Sequence, residues 1–163
     1  FEETPENMDI LLNFNDDWKI RWLAAKNEFT TTESLIYRLN SGEDDEDVVS
    51  AIFENLSERD YADIPFSKHF SSLTVRKEYA KRTKNSKYLF EALMEELNNS
   101  KWMDFEVIEI ICNNNCFIFK SPINFEIYRI YEIFKKHSIV DAHDFQTLVD
   151  MLIKTKNFDK YSL

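Results

Sequence analysis

Cys112 and Cys116 are separated by three residues, and His137 and His143 by five, which makes two pairs of the residue types that bind zinc. The stretch between the pairs is too long for a zinc finger and contains a whole helical pattern. Cys112 also continues an apolar run, where a cysteine acts as a small hydrophobe. No zinc site is expected. Asp104-Phe105-Glu106 has the spacing of the carboxylate pair that opens a two-metal phosphodiester-cleaving site. Such a site needs two more carboxylates from separate elements. The 57 residues that follow Glu106 read as helices and hold no Tyr-x-x-x-Asp motif. On a helix, residues i and i+2 point to different faces, so the pair reads as ordinary helix surface. His69 has no serine and aspartate companions that would make a triad. No phosphate-loop, dinucleotide, nucleophile-elbow or His-Glu-x-x-His pattern occurs. No catalytic residue, metal ligand or cofactor is therefore assigned.

The elements that carry these residues are helices. The chain has 163 residues, enough for one domain with a proper core, and a single glycine, Gly42. Sandwiches, barrels and doubly wound sheets need glycine at their turns. Helices joined by Asn, Ser and Asp turns do not. The 14 phenylalanines and 7 tyrosines supply apolar volume for the core. A formal net charge of −10 argues against a general nucleic-acid or anionic-membrane surface. One basic stretch departs from that balance: Arg76, Lys77, Lys81, Arg82, Lys84 and Lys87, interleaved with Tyr79 and Tyr88, is the best RNA-contact candidate. Two cysteines make no disulfide framework, and neither a signal peptide nor a membrane span is evident, so an intracellular setting is expected. The start at Phe1 and the end within a helical pattern predict a fragment of a larger protein.

Taken in order, Thr4-Pro5-Glu6 starts a helix carrying Met8, Leu11, Leu12 and Phe14. Asn15 or Asp16 caps the next, which bears Trp18, Trp22 and Ala25. Thr30 and Glu33 form a capping box before Leu35, Ile36 and Leu39, with Gly42 as C-cap. The acidic run from Glu43 to Asp47 reads as a capped, solvated helix start ahead of Val48, Val49, Ile52, Phe53 and Leu56. Pro65 breaks the connection Asp60–Phe66, and Phe66–Ser72 is read as a short helix. A basic helix begins at Leu73, and Asn85-Ser86 opens another. Met103–Cys112 is read as a buried helix, with a hairpin over Val107–Phe119 as the alternative. Ser121-Pro122 starts a helix with Ile123, Ile127, Ile130, Tyr131 and Phe134 inward, widened by Phe125, Tyr128 and Ile133. Asp141 caps the next, with Phe145, Leu148, Val149 and Leu152 inward, and Phe158–Leu163 starts a third. The expected fold is all-α: stacked antiparallel helices in one helical-repeat-like bundle.

Ser121-Pro122, Ile130-Tyr131-x-Ile133-Phe134, Phe145-Gln146-Thr147-Leu148-Val149 and Lys154-Thr155-Lys156-Asn157-Phe158 together resemble a known pattern. It is similar to the N-terminal helical region of mutator-type 3′–5′ exonucleases, one branch of which works in small-RNA silencing. The resemblance is clearest over about the last quarter of the chain. Tyr161 departs from it, standing where the family often has a small residue. The family's catalytic residues have no counterparts here. The resemblance implies a non-catalytic domain that docks an adaptor protein and so recruits the nuclease to an RNA-silencing complex, in the cytoplasm or a perinuclear granule. Trp18, Trp22, Phe66, Phe70 and Trp102 are the expected docking residues, since aromatics not needed by their own helix are typical anchors. The alternative is an RNA-binding accessory domain using the basic stretch Arg76–Lys87.

Overall fold

A computed structural model describes residues 2–61, 63–99, 103–118, 123–136 and 142–154. The described residues contain nine helices and no strand. They fall into two compact units, Phe1–Arg82 and Thr83–Leu163. The fold is all-α, as the glycine count requires. Residues 107–113 are helical, and among the described residues of the stretch expected as an alternative hairpin there is no strand.

The first unit holds α1 (Pro5–Phe14), α2 (Trp18–Lys26), α3 (Thr32–Asn40), α4 (Glu46–Glu58) and α5 (Leu73–Arg82). Helix α4 is its centre and packs against α2, α3 and α5, while α1 lies on α2 and α3. The stripe Val48, Val49, Ile52, Phe53 and Leu56 is buried, against a core that includes Leu12, Ala24, Ala25, Leu35 and Leu39. Thr4 caps α1, its hydroxyl accepting the Asn7 N–H at 3.2 Å, with Pro5 in the first turn. The cap of α2 is Asp17, one or two residues later than the sequence suggests, because Asn15 Oδ1 instead accepts the Asp17 N–H. Thr31, not Thr30, caps α3. Thr30 is fully buried and spends its hydroxyl on the Ala24 carbonyl at the end of α2. Asn55 of α4 donates to the neighbouring Ala25 and Asn27 carbonyls at 2.7 and 3.1 Å. The C-terminal carbonyls of α2, which no helical partner can reach, are thus closed by side chains distant in sequence.

Two positive-φ residues end helices. Gly42 (φ +89°) follows the C-cap of α3. Asp60 (φ +58°) follows α4, where the Tyr61 and Asp60 N–H groups donate to the Leu56 and Ser57 carbonyls in a Schellman arrangement. Residues 66–72 are a turn and extended chain rather than the expected short helix. An aromatic cluster and the Tyr79 hydroxyl, which donates to the Ile64 carbonyl at 2.6 Å, pin this connection instead.

The acidic run divides its labour. Asp45 caps α4, accepting from the Asp47 and Val48 N–H groups, with Glu46 and Asp47 in the first turn. Glu43 is not solvated. It is almost wholly buried, and its carboxylate takes the Arg21 guanidinium of α2 in two bonds (2.9 and 3.1 Å) and the Arg38 Nε of α3 at 2.7 Å. It also accepts the Asp45 N–H at 3.1 Å. Burial pushes the Glu43 carboxyl up, but the Arg21, Asp45 and Arg38 hydrogen bonds outweigh it and hold the group below its ordinary value.

The second unit holds α6 (Ser86–Asn98), α7 (Phe105–Asn113), α8 (Ile123–Lys136) and α9 (Ala142–Lys154). Helix α6 packs on α7 and α8, and α9 on α7 and α8. Leu89, Leu93, Leu97, Val107, Ile108, Ile111, Ile130, Leu148 and Leu152 are buried. Tyr128, expected to widen the buried face of α8, is exposed. Glu96, itself buried, accepts the Asp104 N–H at 2.9 Å and fixes the entry to α7. Ser121-Pro122, Asp141 and Phe158–Leu163 lie outside the described residues.

Glu43 gives a stability prediction. Its folded pKa is depressed, so its stabilisation is complete above the unfolded value of 4.5 and is lost as pH falls through the lower folded value. Glu43→Ala, which takes the carboxylate from two partly buried guanidinium groups that keep only backbone-carbonyl partners, should cost about 3 kcal/mol near neutral pH, the low end for breaking a buried pair. In urea melts at a series of pH values, the gap between wild type and Glu43→Gln should be constant above pH 4.5 and shrink below it. A gap that does not change with pH would place Glu43 outside the acid transition.

Candidate functional site

Of the residues expected to dock a partner, the described ones lie on α2 and in the connection before α5. Trp18 and Trp22 stand one turn apart on α2, Trp18 exposed and Trp22 half-buried. Each ring has a neighbouring ammonium over it, Lys19 at 5.8 Å from Trp18 and Lys26 at 4.3 Å from Trp22. Phe70 is a core residue: its ring lies 5.2 Å from Tyr79 and 6.1 Å from Phe66, and it is buried. Its place in the core removes it from any docking face, and Phe66 is half-buried in the same cluster. Trp102 lies outside the described residues.

The basic stretch is divided between the two units, Arg76, Lys77, Lys81 and Arg82 in the first and Lys84 and Lys87 in the second. On α5, Glu78 takes the Arg82 Nε at 2.9 Å and the Lys81 ammonium at 3.4 Å. Arg82 also reaches Ser50 Oγ at 3.0 Å, and Arg76 donates to the Ser71 carbonyl at 2.6 Å. Arg76, Lys81 and Arg82 are thus engaged with neighbours of their own unit.

A different surface stands out, which sequence reasoning passed over. Helices α1 and α3 flank a groove of about 420 Å³. Its apolar walls are Ile10 and Phe14 of α1 and Tyr37 of α3, exposed by 56%, 77% and 58%. Its floor is tied by side chains. Asp9 accepts the Thr31 N–H at 3.0 Å and the Thr31 hydroxyl at 2.8 Å, while Asn13 Nδ2 donates to Ser34 Oγ at 2.5 Å. Asn13 Oδ1 is buried there with no hydrogen-bond partner among the described residues. The sequence does carry a signal for this groove. Met8 and Leu12 supply the buried stripe of α1, and Ile10 and Phe14 repeat the same four-residue spacing on another face. A short helix with two apolar stripes covers only one of them with its own fold.

The residues with reactive chemistry take structural places. Asp104 is the N-cap of α7, its carboxylate accepting the Glu106 N–H at 2.8 Å, and Glu106 sits in the first turn. His69 is exposed in a turn, and His143 is exposed on α9. His137 lies outside the described residues. Cys112 is buried on α7, beside a cleft of about 340 Å³ whose other walls include Glu109, Asp150, Met151 and Lys154. Burial, with the Glu109 charge as a smaller cause, pushes the Cys112 thiol up to about 12. Such a thiol is protonated at neutral pH, in neither the nucleophilic nor the metal-binding form. Among the described residues, no group of three or more His, Cys, Asp or Glu side chains is placed to hold a metal ion.

The two cysteines should therefore differ. In the native protein at pH 7–8, iodoacetamide followed by peptide mass spectrometry should modify the half-buried Cys116 first and leave Cys112 untouched until the fold is opened with denaturant. Equal rates at the two positions would contradict the buried, protonated state of Cys112.

The chain matches no family model, no curated protein and no solved structure.

Proposed function

We propose that this chain is a non-catalytic protein-docking module whose partner binds in the α1–α3 groove. The observation that carries the reading is the placement of Ile10, Phe14 and Tyr37 as exposed apolar walls around a hydrogen-bonded floor. A surface phenylalanine at 77% exposure gains most by being covered. Burying a side chain of this size contributes roughly 1.5–3 kcal/mol. The tied floor supports the reading too, because a groove held in shape before binding loses less entropy when filled. The resemblance of Ser121–Phe158 to mutator-type exonucleases extends the proposal. In that setting the chain is the helical region preceding a 3′–5′ exonuclease domain, and the docked partner is an adaptor that brings the nuclease to an RNA-silencing complex. The cytoplasm or a perinuclear granule is the location that goes with this assignment. Among the described residues no helix is long and apolar enough to cross a membrane.

The test compares the wild-type chain with Phe14→Asp as bait in native extract. Phe14 touches solvent over most of its surface, so the variant should keep the wild-type melting temperature. The proposal expects one protein captured in near-stoichiometric amount by the wild type and reduced at least tenfold by Phe14→Asp, by the arithmetic of about 1.4 kcal/mol per decade. Equal capture by both baits, or recovery of RNA that disappears only as salt is raised, would contradict it.

A further inference from the structure

We infer that the occupant of the α1–α3 groove is a cationic amphipathic helix supplied by a partner protein; this deepens the docking reading and rests on it. The groove has the form that a third helix fills. Ile10 and Phe14 stand one helical turn apart on α1, and Tyr37 faces the same groove from α3. Apolar rows of this spacing receive the i, i+3, i+4 row of an incoming helix, as ridges enter grooves. The described residues offer no strand edge, so an extended peptide finds no ladder to join. A helix satisfies its own backbone and brings only side chains to the groove.

The charge of the occupant follows from its surroundings. The charged side chains that line the groove are Asp9 and Glu33, both acidic. Residues 1–82 carry 18 acidic and 10 basic side chains, a formal −8, against −2 for residues 83–163. Most of the chain's net negative charge, −8 of −10, thus belongs to the unit that carries the groove. An acidic or neutral helix would meet this field with no gain, whereas lysines or arginines beside the apolar stripe would be steered in and held at the rim. The carboxylate of Asp9 is already fixed by Thr31, which keeps a negative charge at the groove's floor without further ordering.

The test uses the 163-residue chain and two synthetic helical peptides of roughly 14 residues, about four turns. Both carry the same leucine stripe; one has lysine at its remaining positions and the other glutamate. Fluorescence anisotropy at physiological salt should show the Leu/Lys peptide binding at least about tenfold more tightly than the Leu/Glu peptide. Phe14→Ala, Tyr37→Ala and Glu33→Lys should each weaken the Leu/Lys peptide, the first two showing that the apolar walls take part. Binding of Leu/Lys that ignores Phe14→Ala and Tyr37→Ala is bulk charge attraction and overturns the inference, as do equal affinities for the two peptides or no binding of either. If a captured partner depends on Phe14 while its docking segment is acidic, the docking reading stands and this inference fails. If capture ignores Phe14, both fail.

Discussion

The first unit depends on one buried carboxylate. Glu43 lies between α3 and α4 in the chain, and the two guanidinium groups on it come from α2 and α3. Those arginines reach further: Arg21 donates to the Asn15 and Asp16 carbonyls at 3.0 and 2.8 Å, and Arg38 to the Asn13 carbonyl at 3.4 Å. One anion therefore ties the end of α1, the α1–α2 turn, α2, α3 and the start of α4. A buried ion pair adds stability only where geometry and further hydrogen bonds offset its desolvation. Here the carboxylate accepts from two guanidinium groups and one backbone N–H, and side-chain exposure is 2% for Glu43 against 12% and 18% for its partners. The arginines keep one edge near water, which lowers the desolvation that the trio must overcome.

This clamp bears on the groove because it fixes α1 and α3 relative to each other from below. Hydrophobic contact sets helices together but is non-directional. Leu12, Leu35 and Leu39 bury their side chains in the core, yet they do not by themselves set how far apart the outer faces stand. The directional bonds do that: Asn13 to Ser34, Asp9 to Thr31, and Arg38 to the Asn13 carbonyl. Ile10 and Phe14 then project on the far side of α1 from Met8 and Leu12. An apolar surface on a framework of directional bonds is a different object from a loosely exposed core residue.

Helix existence was legible from local rules. Thr4-Pro5 at the start of α1 and Asn85 before α6 are helix starts readable from residue type and position. The stripe on α4 was legible by spacing. What escaped the sequence is the use of polar side chains over long separations. Thr30 looks like a cap and closes the end of α2; Glu43 looks like a member of an acidic run and takes two guanidinium groups in the core. Neither fact follows from a window of neighbours, because the partners lie on other helices. Aromatics misled for a similar reason. Phe14 ends α1 and Phe70 lies in the connection before α5, and the fold sends Phe70 to the core and Phe14 to solvent. The basic stretch was visible as charge, but its pairing with Glu78 depends on helix register within α5, and its division between two units depends on tertiary structure.

We propose the α1–α3 groove as the surface on which this chain meets its partner. Hydrogen–deuterium exchange of the chain, free and with the captured partner bound, tests it most directly, since amide protection reports local opening along every helix. The account predicts slowed exchange over Asp9–Phe14 of α1 and Glu33–Tyr37 of α3, with α5 unchanged. Protection confined to Arg76–Lys87, with α1 and α3 exchanging as in the free chain, would contradict it.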